Sequence, residues 1–176
     1  MLLRSGNFTI RNATVHDASQ LAAWWNDGKI MAHAGFPNGT GQTAEGIAAD
    51  IAKDTDETHR RLIIEIDGFP AGEMMYENLG GGTAEIGIKI CDASKQDKGC
   101  GKIILSMLIS SLFHDSGVQK IVLDTNTANT RAQHVYERLG FRKVRVRENA
   151  WTDQLGQLQS SVDYELVPDD FVNFAG

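Results

Sequence analysis

Chemistry concentrates in one short loop of the 176-residue chain, Gln96-Asp97-Lys98-Gly99-Cys100-Gly101-Lys102. Glycines at 99 and 101, after a strand and at a helix start, let the backbone turn tightly. Several N–H groups and the positive end of the helix dipole then point the same way, a cradle for a phosphate or pyrophosphate. Two familiar nucleotide loops are excluded by residue type. A Walker A loop needs Gly where Gln96 stands and Ser or Thr where Ile103 stands, and a dinucleotide fingerprint needs Gly where Ile104 stands. Elsewhere the five histidines are scattered, with His134 on the polar side of a helix. The two cysteines, Cys91 and Cys100, have the spacing of neither a zinc site nor a structural disulfide, so no metal is expected.

These residues must be held by elements that apolar periodicity defines. Residues 14–27 carry Ala18, Leu21, Ala22 and Trp25 at helical spacing behind Thr14 as N-cap, ending at Gly28; a loop follows over 31–43. A second helix over 43–54 has Ile47, Ala48 and Ile51 on one stripe. Residues 62–66, 71–78 and 83–91 then read as a three-stranded antiparallel meander with turns at Asp67-Gly68 and Gly80-Gly81-Gly82. In its last strand Ile86, Ile88 and Ile90 share one face and Gly87 and Lys89 the other.

A helix over 102–114, with Ile104, Leu108 and Leu112 on one side, leads past Gly117 into a strand over 120–124 predicted to be buried on both faces. Strand, loop, helix and strand make a βαβ unit with parallel strands. A helix over 129–139 aligns Ala132, Val135, Tyr136 and Leu139 and stops at Gly140; strands over 141–148 and 161–167 flank a polar turn region. The fold class is α/β (α+β): a mixed sheet of about six or seven strands around a central parallel pair, flanked by about four helices.

Downstream of the glycine loop, Asn126, Asn129, Ala132, Tyr136 and Gly140-Phe141 complete a pattern. With Gln96-Asp97-Lys98-Gly99-Cys100-Gly101 it resembles the GNAT acetyltransferases. In that family a Gln/Arg-x-x-Gly-x-Gly/Ala loop binds pyrophosphate, an Asn opens a later helix, a Tyr lies two turns along it and Gly-Phe follows. The resemblance spans residues 62–167, and the N-terminal helix pair matches in outline. Phe8-Thr9-Ile10-Arg11, Trp24-Trp25-Asn26-Asp27 and Val162-Asp163-Tyr164-Glu165-Leu166 are similar to the subgroup of ribosomal-protein N-terminal, spermidine and aminoglycoside 6′-type acetyltransferases.

The resemblance implies direct attack of a neutral primary amine on acetyl-coenzyme A (acetyl-CoA), used as cosubstrate, without an acyl-enzyme. The acceptor would be a small molecule or a protein N-terminus. By the same resemblance Ile88, Lys89 and Ile90 meet the pantetheine arm or the oxyanion. Gln96, Asp97, Lys98, Gly99, Cys100, Gly101 and Lys102 hold the pyrophosphate. Asn129 bonds the coenzyme arm or serves simply as an N-cap. Tyr136 is the candidate general acid, a phenol of ordinary pKa about 10 able to protonate a thiolate; the competing reading is a core tyrosine satisfied by a carbonyl. Glu85 and Glu73, on meander strands, are the candidate bases, acting directly or through water. A non-catalytic coenzyme-A-binding module and a partner-binding adaptor on the same scaffold are the alternatives.

Composition narrows the partners. A formal charge of −6 argues against a phosphate backbone as partner and mildly favours a cationic acceptor. No apolar run is long enough to cross a bilayer and the first residues do not read as a secretion signal, so no membrane partner and a cytoplasmic location are expected. The length suits one acetyltransferase domain over 1–176, and a homodimer is compatible with it.

Overall fold

The computed structural model describes residues 1–96 and 98–176; Asp97, part of the predicted pyrophosphate loop, lies outside the described residues. Eight strands build one sheet: β1 (Leu2–Ser5), β2 (Phe8–Asn12), β3 (His59–Ile66), β4 (Phe69–Gly80), β5 (Thr83–Ile90), β6 (Lys120–Asn126), β7 (Arg142–Thr152) and β8 (Leu158–Leu166). Their spatial order is β1-β2-β3-β4-β5-β6-β8-β7, and among the described residues only β5 and β6 run parallel. Five α-helices accompany them among the described residues: α1 (Ala18–Trp25), α2 (Gly28–Met31), α3 (Ala44–Ile51), α4 (Cys100–His114) and α5 (Thr130–Arg138).

The meander forms where the alternation of 62–91 places it, and its first turn uses left-handed φ of +57° at Asp67 and +82° at Gly68. Successive residues of β3 feed opposite faces. Leu62 and Ile64 pack with Ile104, Leu105 and Leu108 of α4, whereas Ile63 packs with Leu21 and Trp24 of α1 and Ile47 of α3. The strand with both faces buried is therefore β3. In β6 burial alternates: Ile121 and Leu123 are buried and Asp124 is exposed, and among the described residues none of β6 joins the apolar cluster that α1 and α3 build on the second face of the sheet.

Other differences are local. The β1–β2 hairpin, which brings the sheet to eight strands, is too short for its alternation to stand out, and it pairs onto the meander through Phe8 opposite Ile66. Thr14 precedes a 3-10 turn, Val15–Asp17, and Asp17 is the N-cap of α1. Gly28, expected to end the first helix, instead opens α2, which leads into the predicted loop, with Asp27 Oδ1 accepting from Lys29 N at 2.8 Å. A side chain at Gly28 would collide with the Pro37 carbonyl, so its role is close approach of backbone to backbone.

The parallel pair creates the opening the site needs. β5 and β6 are in register only from Thr83↔Lys120 to Glu85↔Val122. Beyond Glu85, β5 continues to Ile90 paired with β4 alone, and β6 continues to Asn126 paired with β8 alone. The sheet splits into a gap at the carboxyl ends of its two parallel strands, where open α/β sheets bind ligands.

Candidate active site

Gly99 caps α4 in the left-handed conformation, φ +73°, and turns the chain from the loop after β5 into the helix. The first-turn amides of a helix have no intrahelical acceptor and face outward with the positive end of the dipole. A β-carbon at Gly101 would meet nothing within 4 Å, so the approach to those amides is open. Gln96 fixes the loop to the strand by donating from Nε2 to the Ile90 carbonyl at 2.8 Å. At the other side of the gap Asn129 caps α5, its Oδ1 accepting from Ala132 N at 3.2 Å.

A cavity of about 780 Å³ occupies the gap, within the range of small-molecule sites. Ile88, Lys89, Ile90, Gln96, Gly99, Cys100, Gly101, Lys102, Asn129 and Tyr136 all line it, which brings together most of the residues singled out from sequence. Lys98 and Glu85 do not line it. Glu73 lines a second cavity of about 440 Å³ on the α1 side, which shares Gly87, Ile88 and Lys89 with the first.

Tyr136 sits on the inward stripe of α5, 7% exposed, its ring edge-on to Phe141 at 5.8 Å and to Tyr164 at 5.7 Å between centroids. Among the described residues no protein group hydrogen-bonds its hydroxyl, unlike Tyr164, which donates to Glu137 Oε1 at 3.0 Å. Burial, and then the nearby charge of Asp124, push the Tyr136 phenol up to about 12. It is therefore a neutral phenol on the cavity wall.

The two candidate bases differ in surroundings. Glu85 is half-buried, and its carboxyl is raised above the ordinary range by burial and then by the charges of Asp124, Glu77 and Asp163. Glu73 is held. Its Oε1 accepts from Trp25 Nε1 at 2.7 Å and lies 3.4 Å from Lys89 Nζ, which also approaches Met31 Sδ at 3.0 Å. Of the cysteines, Cys100 faces the cavity, whereas burial pushes the Cys91 thiol up to about 12 and leaves it inert.

Several residues on the cavity wall carried no sequence motif. Asp124, bonded by Arg147 at 3.0 Å, lines it at the end of β6; its place at the carboxyl end of a parallel strand was the available signal. Trp151 and His33 close the far side, from β7 and the turn after α2. Trp151 donates to Ser161 Oγ at 3.1 Å, and its ring lies so close to Gly35 that a side chain there would run into it. One residue ties these two regions. Gln154 donates from its backbone to Gly35 O at 2.9 Å and from Nε2 to Gly39 O at 3.0 Å, and accepts from Asn38 N at 2.8 Å.

Comparison with known proteins places this arrangement. The chain is 29% identical, over a 153-residue alignment covering 77% of it and 74% of the relative, to aminoglycoside N(6′)-acetyltransferase type 1 of Klebsiella pneumoniae. Its fold matches spermidine N-acetyltransferase from Vibrio cholerae, solved with CoA and spermine, at a TM-score of 0.84 and 19% identity over 95% of this chain and 99% of that one. A ribosomal L7/L12 α-N-protein acetyltransferase solved with coenzyme A matches equally, at a TM-score of 0.84 and 14% identity over 97% and 99% of the two chains. The family description "Acetyltransferase (GNAT) domain" matches residues 7–142, which take in the meander, the glycine loop and Tyr136; the chain belongs to the GNAT family and is an acetyl-CoA-dependent N-acetyltransferase.

Proposed function

We propose that the larger cavity holds acetyl-CoA, that Tyr136 protonates the leaving thiolate, and that the acceptor is a primary amine of a cationic small molecule. The residues fit the coenzyme by shape and charge. The open amide cradle of α4 suits the pyrophosphate, Lys102 and Arg138 lie on the cavity wall for phosphate charge, and the unpaired edge of β5 beyond Glu85 borders a channel for the pantetheine arm.

The observation that carries the acid role is that Tyr136, a buried residue, lines the cavity with a hydroxyl that is not itself buried and has no protein partner among the described residues. A module that only bound coenzyme would have no need of it. As the amine nitrogen bonds to the thioester carbon and the C–S bond breaks, the sulfur takes its proton from this phenol. The burial that raises the phenol also disfavours the thiolate, so donor and acceptor move together. Backbone groups at Ile88 to Ile90 are placed for the carbonyl oxygen.

Glu85 lines neither cavity, so it removes the amine proton through water; its raised carboxyl suits a base at neutral pH. Glu73, occupied by Trp25 and Lys89, orients those side chains at the junction of the cavities. The carboxylate of Asp124 on the wall, the overall charge of −6 and the 29% identity to an aminoglycoside N(6′)-acetyltransferase support a cationic acceptor.

The test is a thiol-release screen over aminoglycosides, polyamines, amino acids and N-terminal peptides. Turnover with aminoglycosides or polyamines supports the reading. Turnover confined to peptide N-termini would overturn the acceptor class, and coenzyme binding without release from any amine would overturn catalysis.

A further inference from the structure

The segment after β8 returns across the coenzyme side of the molecule and is fastened there. Phe174 N donates to Ser106 Oγ at 2.9 Å, and Ser106 is fully buried within α4; next to it, the Ala175 carbonyl accepts from Ser5 Oγ at 3.0 Å. So held, the Phe174 ring lies 4.8 Å from Lys102 Nζ and 5.8 Å from the Arg138 guanidinium carbon. Lys102 comes from the first turn of α4 and Arg138 from the last turn of α5, and both line the larger cavity. Neither has a carboxylate partner among the described residues, in a chain where most other arginines do.

Two cations at a cavity wall that share an aromatic ring and no counter-charge are arranged for an anionic ligand. A ring face holds a cation without neutralising it, so the charge stays available, whereas a carboxylate would compete with the ligand. Holding the side chains also lowers the rotamer entropy lost when they grip a phosphate. We infer that Phe174 is a positioning residue that holds Lys102 and Arg138 ready for the phosphate groups of coenzyme A. This rests on the larger cavity being the coenzyme site.

The measurement is calorimetric affinity for CoA, with displacement by pantetheine as a phosphate-free probe, in wild type, Phe174→Leu and Phe174→Trp. Leucine keeps apolar packing and removes the ring; tryptophan restores a ring. Phe174→Leu should weaken CoA binding by roughly 5- to 30-fold, the scale of two cation–π contacts, with pantetheine affinity unchanged and CoA affinity recovered in Phe174→Trp. Unchanged CoA affinity in folded Phe174→Leu, or equal loss for pantetheine, overturns the proposal. If Phe174→Leu does not fold, Arg138→Gln on the exposed side of α5 serves instead: it must weaken CoA several-fold and spare pantetheine, and equal effects on both overturn the proposal. Wild-type protein that binds no CoA overturns the cavity assignment itself, a different result from wild-type binding that ignores residue 174.

Discussion

Asp124 on β6 and Tyr136 on α5 line one cavity, and the carboxylate of the first adds to burial in holding the phenol of the second up at about 12. A phenol raised in the folded state from its unfolded value near 10 keeps its proton more tightly when folded. Its contribution to stability is fully present below about pH 10 and is lost as pH rises through about 12.

Alkaline unfolding should therefore separate wild type from Tyr136→Phe. Between about pH 9 and pH 11 wild type should lose roughly 1 kcal/mol more stability in urea than the variant, which has no phenol at 136 to ionise. Tyr76 is common to both proteins and cancels; Tyr164 is also common to both, and of the causes that raise it only the last, the charge of Tyr136, is lost in the variant. Equal pH dependence would place the phenol in a solvated setting.

Gly99→Val with Gly101→Val should abolish CoA binding in a folded protein, and Gly101→Val alone is the cleaner probe. Valine at 99 is strained by φ +73°, whereas at 101 an added β-carbon meets no protein atom within 4 Å. Circular dichroism should show native structure, while CoA affinity falls at least tenfold, about 1.4 kcal/mol. Native affinity in folded Gly101→Val would place the pyrophosphate elsewhere.

Gln154→Ala should release the turn after α2 from the β7–β8 hairpin, because three hydrogen bonds to residues 35, 38 and 39 run through this residue and its side chain makes two of them. The acceptor KM should rise by roughly 3- to 10-fold with CoA affinity unchanged, the scale of one or two neutral hydrogen bonds. Equal loss in both constants would mean that the hairpin supports the whole fold.

Much of this was legible before any coordinates. The alternation through Leu62, Ile64, Ile86, Ile88 and Ile90 marked the meander, and the succession of strand, glycine loop, helix and strand marked the parallel pair, because each signal is local. Asn129, Tyr136 and the loop fell on one cavity for the same reason. What escaped depends on contacts distant in sequence. Glu73 reads as a free strand carboxylate until Trp25, 48 residues away, is seen to donate to it. Gln154 is a polar turn residue until Gly39, 115 residues away, is seen to accept from it. Phe174 has no periodicity to mark it, and only the docking onto Ser106 brings it to Lys102.

The most direct test of the account is the single-turnover rate of Tyr136→Phe with excess enzyme and an accepted amine, which is insensitive to product release. The substitution removes one hydroxyl and keeps the ring against Phe141 and Tyr164. If Tyr136 protonates the leaving thiolate, the rate should fall by roughly 10- to 1,000-fold while acetyl-CoA affinity stays within about twofold. Wild-type single-turnover chemistry in a folded variant would contradict the account, leaving Tyr136 a packing residue and solvent the proton donor.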